Sequence, residues 1–260
     1  MQFDQKLIWL TDLHVTVSGE AYGARPNARL KQVIAEINRL HSDAACCVIS
    51  GDLTDLGTPE EYETLAGLLD NLSIPVLPLI GNHDNRKNFL ARFALPGEAL
   101  RGFAQYRKDF GDVTLLCLDT CVPDAHHGEL DQKRLAWLSD TLEAAQEQQV
   151  LVFMHHPPGA LGLGPLDEIP LVDYKPLIDV LRNAPQVEHL FCGHVHRPVT
   201  GNIGGMPFTT ARSLCFQARA PFEAWDWDDC VAVNERPQYS VILTAPDRLV
   251  VQAIDLEDLV

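Results

Sequence analysis

The sequence predicts an α/β sandwich whose strands are buried on both faces. Three observations carry that prediction. Continuous apolar runs of strand length recur along the chain, segments of helical period separate them, and 260 residues with 46% hydrophobic side chains suffice for one sizeable core. In order, residues 6–10 read as a buried strand, 27–40 as an amphipathic helix, 45–50 as a strand and 59–69 as a helix. Strands follow at 75–80 and 113–118, a long helical pattern at 131–146 and a strand at 150–154. A helix at 176–182 precedes a strand at 187–192. Beyond His196 the pattern changes. Residues 201–205 read as a loop, and the segment 239–244, Ala-Pro-Asp, 248–254 as a hairpin. The Trp- and Asp-rich stretch 223–230 reads as a loop or surface feature. The chain divides into residues 1–200, which carry the chemistry described below, and a C-terminal segment, 201–260.

Charge narrows the partners. Thirty-six acidic against 20 basic residues give a formal charge of −16, which repels polyanions and argues against a polymeric nucleic-acid surface. A small anionic substrate stays compatible where bound cations reverse the local sign. No apolar stretch is long enough to cross a bilayer, so no membrane partner is expected. Seven cysteines with no CxxC pair are expected to be buried thiols of a reducing compartment, the cytoplasm.

The informative feature is where polar residues fall. Five of the strand candidates end in a cluster of metal-capable side chains: Thr11-Asp12-Leu13-His14, Gly51-Asp52-Leu53-Thr54-Asp55, Gly81-Asn82-His83-Asp84, His155-His156-Pro157-Pro158 and Gly193-His194-Val195-His196. In an open α/β sheet ligands collect beyond the carboxyl ends of strands, so the five clusters are expected to converge on one crevice. The glycines before Asp52, Asn82 and His194 are expected to permit the tight turns that aim them inward. Imidazole with carboxylate and amide oxygen, and no thiolate, suits iron, manganese, zinc or cobalt.

In this order the clusters resemble the calcineurin-like metallophosphoesterase superfamily: D-x-H, GD-x-x-D, GNH(D/E), H and GH-x-H, running from Thr11 to about His196. Within it the chain looks closest to bacterial class III cyclic nucleotide phosphodiesterases and the related glycerophosphodiesterases, with support from residues 19–23, 58–62 and 154–158. The resemblance implies a four-layer αββα sandwich of mixed sheets with a C-terminal extension. It implies one metal ion held by Asp12, His14, Asp52 and His196, and a second by Asp52, Asn82, His155 and His194, with Asp52 shared. His156 is then expected behind the ligands or facing substrate, and Asp55 and Asp84 are expected to orient ligands and loops.

Two divalent ions less Asp12, Asp52 and a bridging hydroxide leave about one positive charge for a phosphodiester monoanion. The expected chemistry is in-line attack on phosphorus by an activated hydroxide, with Asn82 a ligand at the reacting centre and His83 stabilising phosphoryl charge or protonating the leaving alkoxide. Tyr22 is expected to line the substrate pocket. The expected substrate is a small phosphodiester, of cyclic nucleotide or glycerophosphodiester type; a phosphomonoesterase or phosphonate monoesterase is the alternative. A binding module without metals is disfavoured by the intact set of donors, and a nucleotide-dependent oxidoreductase by the lack of G-x-G-x-x-G after the first strand. Residues 201–260, dense in aromatics (Phe208, Phe216, Phe222, Trp225, Trp227) and including Leu214, are expected to form a lid, a dimerisation arm or further strands of the sandwich, in a homodimer or larger homo-oligomer.

Overall fold

The computed structural model describes residues 3–219, 226, 232–233 and 235–257. Strict alternation within short strands builds its layers. In β1 (Gln5–Leu10) the side chains of Leu7 and Trp9 point to one face and those of Ile8 and Leu10 to the other, and all four are buried. Such a strand needs cover on both sides, which a parallel sheet between two layers supplies.

The first sheet has the order β12-β11-β1-β2-β3, from β2 (Cys46–Ser50), β3 (Val76–Leu79), β11 (Gln238–Ala245) and β12 (Arg248–Asp255) around β1. Its β1, β2 and β3 run parallel, while β11 pairs with β1 antiparallel. The second sheet has the order β4-β5-β6-β7-β8-β10-β9. It contains β4 (Glu98–Ala99), β5 (Tyr106–Phe110), β6 (Val113–Cys117), β7 (Gln149–Met154), β8 (Val187–Cys192), β9 (Thr200–Ile203) and β10 (Met206–Thr210). Here β6, β7, β8 and β10 are parallel and the remainder antiparallel.

The sheets face each other through Leu7, Trp9, Val48 and Leu77 on one side and Leu115, Leu151, Phe153 and Phe191 on the other. Phe153 and Phe191 stack at 4.7 Å, and Trp9 meets Phe191 edge-on at 5.1 Å. Each buried aromatic contributes on the order of 2–3 kcal/mol by leaving water. The Trp9 indole N–H, which would otherwise be stranded, donates to Ser50 Oγ at 2.8 Å.

Helices cover the outer faces. α1 (Pro26–Leu40) and α2 (Pro59–Leu69) lie on Ile8, Leu10, Cys47 and Ile49; α4 (Gln132–Glu143) and α5 (Lys175–Arg182) lie on Leu116, Val150, Val152 and Leu190. A short α3 (Arg86–Arg92) joins the first pair. The four layers expected from the resemblance are therefore present. α2 starts where Thr58 and Glu61 form a reciprocal capping box with Pro59 at the first helical position.

Three features depart from the sequence reading. Residues 201–205 are a hairpin rather than a loop: β9 and β10 pair from Ile203 with Met206, and only Gly204 and Gly205 turn, both at positive φ (59° and 97°) as the tightest hairpins require. The short α3, the edge strand β4 and its neighbour β5 are additional to the elements read from the sequence. The hairpin at 239–254 is present as β11 and β12. Phe208 and Leu214 are buried, whereas Phe222, Trp225, Trp227 and most of 223–230 lie outside the described residues. The six described cysteines are buried and unpaired. No helix among the described residues is long and apolar enough to cross a membrane.

Candidate metal centre

All five polar clusters leave the carboxyl ends of parallel strands β1, β2, β3, β7 and β8, and they meet between the sheets. The backbone there is bent in an unusual way. Asp12, His14, Asp52, His194 and His196 all have left-handed φ, between 46° and 71°. Each such residue costs on the order of 1–3 kcal/mol and persists only where its surroundings hold it. Part of that hold is visible: Asp12 N–H donates to Gly51 O and His14 N–H to Asp52 O, continuing the β1–β2 pairing into the loops. The glycines act partly through space. A Cβ at Gly81 would sit 2.3 Å from Asp52 Oδ1, and one at Gly193 would sit 2.1 Å from Thr11 Oγ1. At those two positions clearance, and not a left-handed turn, is the requirement.

Four histidines share one arrangement, in which one ring nitrogen is tied outward to an acceptor and the other faces inward. His14 Nδ1 donates to Asp55 Oδ1 (3.2 Å), His155 Nδ1 to Ser50 O (2.9 Å), His194 Nε2 to Ile169 O (2.9 Å) and His196 Nδ1 to Phe216 O (2.9 Å). A carboxylate or carbonyl can only accept, so each outward nitrogen carries a hydrogen, and in the neutral ring the inward one offers its lone pair. His14 Nε2 and His196 Nε2 then face each other at 3.3 Å, with His196 Nε2 3.2 Å from Asp12 Oδ1 and His14 Nε2 3.7 Å from Asp52 Oδ2. On the other side, His155 Nε2 and His194 Nδ1 lie 3.1 Å and 2.9 Å from Asn82 Oδ1, and His155 Nε2 is 3.3 Å from Asp52 Oδ1. Acceptors facing acceptors at these distances, in a buried place, call for a cation between them. The residues present fit two metal ions, with Asp52 offering one oxygen to each group.

Electrostatics agree with that fit. Burial works to raise Asp12 and Asp52, but His196 beside the first and His155 with His83 beside the second hold both carboxyls below their usual range. Burial and the neighbouring His155 push His194 down to about 3, so it is a neutral donor at any ordinary pH. Although burial opposes it, Asp52 and Asp12 draw a proton onto His155, raising it to about 9. A cation there displaces that proton.

Around the donors, Asp84 accepts from Leu53 N, Gly81 N and the Tyr62 hydroxyl at 2.9–3.0 Å, tying the second and third loops together. Burial and the neighbouring Asp52 raise it to about 6. Asp55 holds His14 with its carboxylate and His83 Nδ1 with its carbonyl at 2.8 Å. His83 therefore keeps Nε2 free, and it lines the cavity above the donors.

His156 lies close enough to His155 and His194 to join a cation-binding group, but both its nitrogens are committed elsewhere. Nδ1 meets the Thr120 hydroxyl at 2.8 Å and Nε2 donates to His126 O at 3.1 Å. It is fully buried and forms no part of the cavity wall, so it stands behind the donors rather than facing a substrate. Tyr22 does line the cavity, which has a volume of about 500 Å³, together with Phe216, Leu166, Ile169 and His126. Phe216 packs against Tyr22 at 4.4 Å and against His196 at 4.3 Å. The roles of His126 and Ile169 were not read from the sequence. His126 sits nine residues beyond the end of β6, outside the strand-end rule, and Ile169 contributes a backbone carbonyl that no side chain announces.

A four-layer sandwich with two facing groups of histidine, aspartate and asparagine donors defines a dinuclear metal protein. The profile of the calcineurin-like phosphoesterases matches residues 6–198, and the chain belongs to that family. It is 36% identical over 251 residues to a probable cyclic nucleotide phosphodiesterase of Rhodopseudomonas palustris, covering 95% of this chain and 90% of that one. It is 32% identical over 199 residues to a probable glycerophosphodiester phosphodiesterase of Arcobacter nitrofigilis, covering 75% and 72%. A dimetal phosphatase from Danio rerio superposes with a TM-score of 0.76 at 16% identity, over 99% of this chain and 98% of that one, which is a likeness of fold.

Proposed function

We propose that the protein is a metal-dependent hydrolase of small phosphodiesters, of the cyclic nucleotide or glycerophosphodiester type. One observation carries this reading: four outward-pinned imidazoles present inward lone pairs to the carboxylates of Asp12 and Asp52 and the amide oxygen of Asn82. Asp12, His14, Asp52 and His196 hold one ion; Asp52, Asn82, His155 and His194 hold the other. When bound, two such ions polarise a phosphoryl oxygen and supply a water nucleophile at neutral pH. The donor set suits iron, manganese, zinc or cobalt.

The chain's own residues do the rest. His83, fixed through Nδ1 by Asp55 O, presents Nε2 to the cavity, where it stabilises phosphoryl charge or hands a proton to the leaving alkoxide. Tyr22 and Phe216 form an aromatic wall that takes the carbon substituent of the ester and excludes water from it. The names of the relatives in Rhodopseudomonas and Arcobacter support the diester class. The six cysteines among the described residues, buried and unpaired, support a reducing, cytoplasmic setting.

The deciding experiment is hydrolysis of bis-p-nitrophenyl phosphate and p-nitrophenyl phosphate after chelation and manganese addition, for wild type and Asn82→Ala. The expected outcome is diester cleavage that disappears with chelator, returns with metal and falls in the variant. Faster cleavage of the monoester overturns the diesterase reading. The same reading includes a homodimer or larger homo-oligomer, with β9 to β12 completing the sandwich and residues 211–219 between them as arm or lid. Support comes from Phe216, Gln217 and Ala218, which bring that segment to the cavity wall. A monomer by sedimentation velocity removes this part.

A further inference from the structure

One imidazole on the cavity wall has no part in the metal groups or in the chemistry assigned to His83. His126 lies on the loop between β6 and α4, is exposed, and lines the cavity beside Asn82 and His83. Asn82 Nδ2 donates to its Nδ1 at 3.4 Å. A nitrogen that accepts carries no hydrogen, so the hydrogen of the neutral ring sits on Nε2.

The loop that carries it is held firmly. The carbonyl of His126 accepts from Nε2 of the fully buried His156 at 3.1 Å, and the other nitrogen of that ring is engaged by Thr120 at 2.8 Å. Gly128 passes so close that a Cβ there would lie 2.5 Å from the His156 ring, and its amide donates to Pro170 O at 3.0 Å. His126 is thus an accessible side chain on a fixed backbone.

Its distance from His83 matters. The two ring centroids are 6.3 Å apart, a span across which two N–H groups can each reach an oxygen of one phosphate group. Elsewhere on the wall, Leu166, Ile169 and Phe216 present carbon. We propose that His126 is a substrate-facing residue whose Nε2–H donates to an oxygen of the bound phosphodiester, while Nδ1 keeps the Asn82 amide turned with Oδ1 toward His155 and His194. The inference rests on the phosphodiesterase reading above and adds to it a second imidazole donor, one that no strand-end motif supplies. A preorganised donor of this kind strengthens as charge develops on phosphoryl oxygen.

The test compares His126→Ala, His126→Gln and, as a control, His127→Ala, all as manganese-loaded full-length protein. Three quantities are read: bound metal per chain, the Kd for inorganic phosphate by calorimetry, and kcat/KM for bis-p-nitrophenyl phosphate. The expected result is that His126→Ala keeps its metal, binds phosphate about 10-fold more weakly and loses about 10²-fold in kcat/KM. Glutamine keeps one acceptor and one donor on its amide, so His126→Gln recovers most of both losses, and His127→Ala matches wild type. A phosphate Kd in His126→Ala within about twofold of wild type overturns the proposal. So does metal loss that accounts for the loss of activity, because His126 would then only support Asn82. If wild type cleaves neither ester, the diesterase reading falls by itself, and the phosphate affinities still decide for or against His126.

Discussion

Strand β8 holds one histidine in mid-strand and delivers two more just past its end, and the two places treat the same side chain in opposite ways. His189 shares a hydrogen bond with Thr209 Oγ1 on the neighbouring strand at 2.9 Å and packs on Phe191 at 4.6 Å. Both of those contacts are ordinary strand pairing and packing. His194 and His196, in left-handed backbone, each spend one nitrogen on a carbonyl and turn the other toward acceptors. Being carried by β8 therefore does not by itself set what an imidazole can do. What its second nitrogen is tied to, and what the first then faces, decides the matter.

The sharpest way to break the contrast is at Asp52, the one carboxylate shared by both groups. Asp52→Asn replaces an anionic oxygen with an amide N–H₂, and both ions should be weakened together. Activity against the diester should fall by on the order of 10³-fold or more, with metal per chain below half of wild type by atomic absorption. Retention of full metal content would show that the two groups do not share this residue.

A smaller change should come from the anchor of His14. Asp55→Asn leaves every inward donor in place but removes the carboxylate that fixes the ring. Metal affinity should drop about 10- to 100-fold, as when partners behind a ligand are lost, and competition with a graded chelator would measure it. An unchanged affinity would mean that backbone geometry alone orients His14.

The smallest effect belongs to the mid-strand histidine. Burial pushes His189 down to about 4, whereas an unfolded imidazole titrates near 6.5. Between these values the unfolded chain binds the extra proton, so this contribution to stability is present above about pH 6.5 and is lost as pH falls toward 4. His189→Gln should reduce the difference in urea stability between pH 7 and pH 5 by about 1 kcal/mol and leave metal content unchanged. A variant that loses metal would erase the distinction between mid-strand and strand-end histidines.

The same distinction explains what was legible in the sequence. Strands such as β2 and β7 are buried on nearly every side chain, so their apolar runs stand out. β5, Tyr-Arg-Lys-Asp-Phe, lies near the sheet edge with most side chains only half-buried, and gives no such run. α3 has seven residues and buries only Phe89, too little for a helical period to show. The donors were legible because each follows directly on a strand. The cavity wall was less so: His126 and Phe216 arrive on long loops, and the carbonyls of Ser50, Ile169 and Phe216 that orient three of the histidines carry no side-chain signal. Clearance at Gly81 and Gly193 likewise depends on neighbours that only the fold brings near.

The backbone bonds around the first loop bear on the order in which the molecule can be made. The carbonyl of Thr11 accepts from Leu214 N, and that of Asp12 from Cys215 N and from the Ser213 hydroxyl at 2.8 Å. β1 itself lies between β2 and β11, so one of its two edges is filled by residues 238–245. During synthesis the segment carrying Asp12 and His14 precedes these neighbours by some 200 positions. Contacts so distant along the chain form late. The loop that carries Asp12 and His14 is therefore locked only once residues 213–215 have been made and folded back onto it, so these two donors are set in place later than the local strand pairing of β1 with β2.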